Sequence, residues 1–374
     1  MIYEYWFSNI KGISNSRKFE IRQRMKTLET LYYIEETELK KYELPPKEHQ
    51  AILESIRNWN LQEEYQKLLR KGVSFVSRTC KEYPERLNNI ASAPYGLYIK
   101  GALPREDTLS VAIVGARECS PYGETMARKF AEALSGAGVQ IISGMARGVD
   151  SAGQRGALNQ GGESFAVLGC GVDICYPREQ IGLYMDLQEN GGIISEFPLG
   201  TEPLAKHFPA RNRIISGLSD VVLVIEAKEK SGSLITADMA LEQGKDVYAL
   251  PGPINSNLSR GCNALIKQGA DVLLSPEELL KELGVRGKKQ EQKKLLLESE
   301  EFLVYSCLDF QPRNLDYLIN TTKFSVAELL DILMSLELKG IIKEISKNYY
   351  AIVEEHVNGT LSGNRGITCK SENH

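Results

Sequence analysis

Lys206, Arg211 and Arg213 fall within the stretch KHFPARNRIISG (206–217), with His207 and Phe208 beside them. Cations that meet phosphates, next to an aromatic face that stacks on a base, are what recognition of a single nucleic-acid strand requires. Asn212 adds an amide able to hydrogen-bond a base edge or a sugar. The same string also reads as an exposed helix start whose cations pair with Glu196, Glu202 or Asp220. Spacing alone leaves both readings open.

Further anion-binding chemistry clusters after apolar runs. Gly115-Ala116-Arg117 follows the first, with Ser120, Tyr122 and Gly123 close behind. SGMARGVD (143–150) follows the second and brings Ser143, Gly144, Arg147 and Gly148; GCGVDICYP (169–177) follows the third. Glycine lets backbone N–H groups approach an anion closely, and the exposed N–H groups of a helix start favour phosphate. One such glycine is ordinary turn chemistry, but three loops on one edge, two of them with Arg, weigh towards an anion site. Ser231-Gly232-Ser233 opens a further helix, as structural caps or as another anion contact.

Catalytic signals are sparse. No G-x-x-x-x-G-K-[ST] occurs, which speaks against a P-loop nucleotide hydrolase. GCGVDI has Ile174 at the third glycine position of a dinucleotide-binding turn. His207 is the only histidine of that region, with no Ser or Cys nucleophile recognisably paired to it. The seven cysteines include no C-x-x-C, so neither a metal site nor a cofactor is expected, and the thiols read as reduced.

The elements that must position these residues follow from periodicity. Runs at 109–115, 139–144, 164–169, 192–196, 220–227, 246–252 and 270–274 are apolar almost throughout, as strands buried on both faces must be. Helical patterns fill the gaps. Gly123–Leu134 places Met126, Phe130, Ala133 and Leu134 on one stripe, and Ser275 with Pro276 and Glu278 starts a helix that stops at Gly284. The fold class is therefore α/β, an extended Rossmann-like, mostly parallel sheet with helices on both faces.

The predicted division of the chain is an N-terminal helical region with its lead-in (1–105), the α/β domain (106–284) and a basic linker (285–296). A winged helix (297–354) and a polar, disordered tail (355–374) complete it. The winged helix rests on helical stretches near 298–308, 313–320 and 325–338 ahead of the hairpin IIKEIS-KN-YYAIV. Its third helix carries Glu328, Asp331 and Glu337 and no Arg or Lys, which would repel phosphates. That favours protein contact or packing over groove reading. The net charge is −4 over 374 residues, so any nucleic-acid site is a local basic patch on an acidic background. No apolar run reaches membrane length and the start has no signal-peptide pattern, which predicts a cytoplasmic protein away from membranes.

VGAR…SPYG, SGMARGVDSAGQRGAL, AVLGCGVDICYP, SEFPLG, FPARNRIISGLSD, KSGSLITADMALEQGKDVYALPG and GCNALIKQGA occur in that order. In that combination the chain resembles the DprA/Smf family of bacterial DNA-processing proteins across the whole α/β region, and EYPERLNNIASAPYGLYIKG resembles the family's lead-in. The resemblance implies a SAM- or helix-hairpin-helix-like N-terminal domain and a winged helix flanking the Rossmann-like core. It implies no enzyme, but a homodimer that binds single-stranded DNA, protects incoming DNA in natural transformation and helps load the recombinase RecA. Carried onto this chain, the pocket would use Arg117 with Lys206, Phe208, Arg211, Asn212 and Arg213. The turns holding Ser143, Gly144, Arg147, Gly148, Ser231, Gly232 and Ser233 would add backbone contacts. Two other readings stand beside it. One is a nucleotide-hydrolysing enzyme of the related phosphoribohydrolase fold, although KSGSLITADMALE lacks the double glycine of that family's P-G-G-x-G-T-x-x-E turn. The other is a scaffold for which DNA binding is incidental.

Overall fold

The computed structural model describes residues 1–285, 297–309 and 312–352. It divides into two compact units, Met1–Lys288 and Lys289–His374. The expected linker lies outside the described residues except for Val285, and so does the whole of the expected tail.

The first unit opens with α1 (Ile2–Ser8), α2 (Asn15–Arg24), α3 (Leu28–Tyr32), α4 (Glu36–Leu39), α5 (Pro46–Asn58) and α6 (Leu61–Arg70). Trp6, Phe7, Leu31, Leu39 and Ile52 form a small core of their own, which reaches Tyr95. Side-chain caps set three of these starts: Ser14 accepts from Arg17 N, Thr27 from Thr30 N and Asn60 from Glu63 N.

The sheet that follows begins earlier than residue 106. β1 (Ser74–Ser77) and β2 (Gly96–Gly101) form its antiparallel edge, so the lead-in predicted to lie with the helices contributes two strands. Phe75 and Tyr98 seat those strands against Tyr5 of α1 at centroid separations of 5.5 and 6.0 Å. Next come β3 (Ser110–Val114), α7 (Pro121–Gly136), β4 (Gln140–Ser143), α8 (Val149–Asn159), β5 (Ser164–Val167), α9 (Ile181–Glu189) and β6 (Gly191–Ser195). The unit finishes with α10 (His207–Leu218), β7 (Val221–Val224), α11 (Gly232–Glu242), β8 (Asp246–Ala249), α12 (Arg260–Lys267), β9 (Asp271–Val272) and α13 (Pro276–Glu282).

The strand order is β1-β2-β6-β5-β4-β3-β7-β8-β9, parallel from β6 to β9. Successive strand residues point to opposite faces. Ala112, Val114, Val222 and Val224 pack under α10, α11 and α12, while Val111, Ile113, Val221 and Leu223 pack under α7, α8 and α13. The buried stripe of α7 is Ala127, Phe130, Ala131 and Leu134, rotated slightly from the predicted one, with Met126 and Ala133 only half-buried. Small residues are needed there because α8 crosses closely: a Cβ on Gly156 would lie 2.6 Å from Arg128 O. From β3 the chain runs to β4, β5 and β6 on one side, then returns to β7, β8 and β9 on the other. The crevice between the carboxyl ends of β3 and β7 is thus the topological switch point, where open α/β sheets bind ligands.

The second unit consists of α14 (Ser299–Ser306), β10 (Arg313–Asn314), α15 (Leu315–Thr322), α16 (Val326–Leu338), β11 (Ile342–Ser346) and β12 (Tyr349–Ile352). The three strands pair in the order β10-β12-β11, which makes a winged helix. Leu329, Leu333 and Leu336 of α16 pack on Val304, Leu318 and Tyr350. A capping box between Ser325 and Glu328 starts α16.

Candidate nucleic-acid interface

Four helix starts surround the switch point, and what occupies each decides which can take an outside anion. At α7, Glu226 is buried and fills the position: its carboxylate accepts from Ser120 N at 2.8 Å and from Ser120 Oγ at 2.6 Å. A Cβ on Gly123 would collide with that carboxylate, so this glycine makes room for an internal anion and not for an external one. At α8, Asp150 does the same, accepting from Gly144 N at 3.1 Å. Burial pushes the Asp150 carboxyl up, opposed by the nearby Arg211 guanidinium and by the turn amides it accepts from. The SGMARGVD turn therefore satisfies its own acid.

α10 carries the strongest sequence signal, and the structure sorts its side chains. Phe208 lies against the ring of Tyr176 at 5.6 Å, with the Arg117 guanidinium over it at 5.3 Å. Arg211 points inwards. It is 4% exposed, and its Nη1 donates to the carbonyls of Gly144 (2.9 Å) and Val167. Burial pushes its pKa down to about 10, so it remains a cation at neutral pH. Asn212 is engaged at both ends, accepting from Arg211 Nε at 3.1 Å and donating to Gly232 O at 3.2 Å. Arg213 forms a two-pronged ion pair with Glu196 at 2.8 and 2.6 Å, and donates to Ser92 O. The pairing reading thus holds for Arg213.

At α11 the geometry differs. Ser231 caps the helix, accepting from Ser233 N, and among the described residues no carboxylate accepts from the turn. Gly232 is exposed and a Cβ there would meet nothing within 4 Å. Lys228 and Lys230, both exposed, stand just ahead of it. Among the described residues no ion pair engages Arg117, Lys228 or Lys230, in contrast to Arg147 and Arg213, which pair with Glu179 and Glu196.

A cavity of about 560 Å³ opens at this point. Of the residues singled out by sequence, Gly115, Arg117, Phe208, Arg211, Asn212, Ser231, Gly232 and Ser233 line it. Ser143, Gly144, Arg147, Gly148, Lys206 and Arg213 do not. Ser143 is buried in β4 and donates to Ile113 O, so it is part of the sheet. Gly148, at φ 72°, lets its turn pass the backbone of Ala116 and Arg117. The expectation that Arg211, Asn212 and Arg213 present open polar groups is corrected: Arg211 and Asn212 are part of the wall, their polar groups engaged within the protein, and Arg213 is held by Glu196 outside the lining. Tyr176, Lys228 and Lys230 line the cavity and were not named as site residues, although EAKEKSGS puts both lysines directly before the serine turn. Glu242, the last residue of KSGSLITADMALE, ends α11 and is not part of the lining.

Gly144 carries a stability prediction. A methyl group there would lie 2.6 Å from the Arg211 guanidinium. Gly144→Ala is expected to cost about 1–3 kcal/mol through overpacking, read as a lower midpoint in urea unfolding.

The family model for DNA recombination-mediator protein A matches residues 74–284, and that for the DprA winged helix domain matches residues 288–345. Protein Smf of Escherichia coli K12 is 49% identical over 202 residues, which span 54% of each chain, so the match covers about half the length of that relative. The X-ray structure of DNA processing protein A from Streptococcus pneumoniae superposes with a TM-score of 0.66 at 33% identity, over 75% of this chain and 98% of that one. DNA processing protein A from Helicobacter pylori, whose structure describes its single-stranded DNA binding mode, gives 0.52 at 31% identity over 56% and 95%. Among the described residues no helix is long and apolar enough to cross a membrane, and no cluster of metal ligands occurs.

Proposed function

This chain belongs to the DNA recombination-mediator protein A (DprA/Smf) family, and from that premise we propose that it holds single-stranded DNA in the crevice between β3 and β7. The observation that carries the reading is the convergence on one cavity of an aromatic face, Phe208 with Tyr176, and three cations with no carboxylate partner among the described residues. A base stacks against the Phe208 and Tyr176 rings beside the Arg117 guanidinium, and the following phosphate meets the start of α11 between Lys228 and Lys230. A duplex keeps its bases stacked inside, so the aromatic face selects single strands.

In the cell the bound strand is protected and handed to RecA, in natural transformation and in other DNA processing. The working species is a cytoplasmic homodimer, whose two crevices hold one strand. No bond is made or broken in this role.

Fluorescence anisotropy with labelled oligo-dT, single-stranded and in a duplex, at two salt concentrations, tests the proposal. Three phosphate-facing cations give a slope of log affinity against log salt of about −2 for a single strand. Phe208→Ala removes the stacking surface and is expected to weaken oligo-dT binding by roughly 5- to 150-fold, the equivalent of about 1–3 kcal/mol. Equal affinity for duplex and single strand, unchanged by Phe208→Ala, would remove the aromatic face from the account.

A further inference from the structure

The winged-helix unit leaves an apolar stripe bare on the helix that such folds ordinarily lay in a DNA groove. Val326, Leu330, Met334 and Leu338 of α16 follow one another four residues apart and are 51%, 40%, 63% and 80% exposed. The opposite side of the same helix, Leu329, Ile332, Leu333 and Leu336, already fills the unit's core. The stripe is therefore surplus to folding. Large side chains concentrated on one exposed face mark an interaction site more often than scattered ones do.

Charge around the stripe says what can cover it. Asp331 borders it on one side and Glu337 on the other, Glu328 lies one turn before Asp331, and all three are exposed. Lys339, the only cation at the end of the helix, is held by Glu301. The described residues 297–309 and 312–352 carry nine Asp and Glu against five Lys and Arg. DNA on this face would bring phosphates against three carboxylates. A second copy docked stripe to stripe would set those carboxylates against their own equivalents.

We propose that the outer face of α16 docks an amphipathic helix of another protein, one whose apolar stripe is flanked by Lys and Arg. A stripe with steps of four residues presents the ridge that a partner helix packs into, and cationic flanks meet Asp331, Glu328 and Glu337. The proposal does not rest on the role assigned to the crevice between β3 and β7.

The test uses the full chain and labelled synthetic peptides of about five helical turns. One has a Leu stripe flanked by Lys, a second replaces each Lys by Glu, and a third scrambles the first. The Lys-flanked peptide is expected to bind at least tenfold tighter than either control. Met334→Asp with Leu338→Asp removes that advantage while the protein still melts as the wild type does. Asp331→Lys, which leaves the apolar surface intact, reduces it severalfold. Failure of the Lys-flanked peptide to bind, or equal binding of the scrambled one, overturns the proposal. So does self-association of the wild type that Met334→Asp with Leu338→Asp abolishes, because the stripe would then belong to a second copy.

Discussion

Glutamate in place of both Arg117 and Lys228 is expected to weaken single-strand binding by about 100-fold or more at moderate salt, with the fold intact. The exchange removes two cations that line the cavity and sets two anions where phosphates are to lie. Neither residue has an ion-pair partner among the described residues, and both are exposed, so stability should change by less than about 0.5 kcal/mol. The salt slope should also shrink by roughly 0.7 for each cation lost. Anisotropy titrations at several salt concentrations, with urea melts alongside, give both numbers. An affinity drop without a shallower slope would mean that the two side chains act through the fold and not on phosphates.

Arg211→Met is expected to have the opposite signature, a loss of about 3–5 kcal/mol of stability. The side chain reaches under Phe208 to the carbonyls of Gly144 and Val167, and it is the cation nearest in effect to buried Asp150. Methionine keeps much of the volume but leaves two carbonyls without this donor and a buried carboxylate uncompensated. The pH dependence follows from the same pair. Burial already holds Asp150 above its unfolded value of 3.8, and removing Arg211 raises it further. A carboxyl with a raised folded pKa binds more protons folded than unfolded, so both proteins lose stability as pH rises past 3.8, and the variant's deficit should widen once pH passes the wild type's own raised Asp150 value. Asp150→Asn in the same background should then recover part of the loss and flatten the pH profile. Charge reversal at Arg211 is accordingly no probe of DNA contact, because it reports on the wall of the cavity.

That contrast also marks how far the sequence could be read. The parallel sheet was legible because β3, β4, β5 and β7 are buried on both faces and so are apolar without alternation. β1 and β2 were hidden among helices, since their burial depends on Phe75, Tyr98 and a tyrosine from α1, a long-range aromatic packing with no local period. In KHFPARNRIISG the cations were visible but their directions were not given by spacing between charges. A signal was nevertheless present: Arg211 stands three, four and seven residues before Ile214, Ile215 and Leu218, which places it on the buried stripe of α10. Arg213 lies off that stripe and meets Glu196, a residue from the end of β6 that no local pattern connects to it. The acids Glu226 and Asp150, which fill two of the helix starts, were illegible for the same reason. Their partners come from other strands or from the turn's own amides.

The most direct test of the crevice as the strand's seat is photocross-linking of a 5-iodouracil-substituted oligonucleotide to the full chain, with the adduct located by mass spectrometry. Adducts are expected on Phe208 or Tyr176, suppressed by unlabelled oligo-dT and by glutamate at Arg117 and Lys228. Adducts confined to other surfaces, such as the winged helix, with none on those two rings, would contradict it.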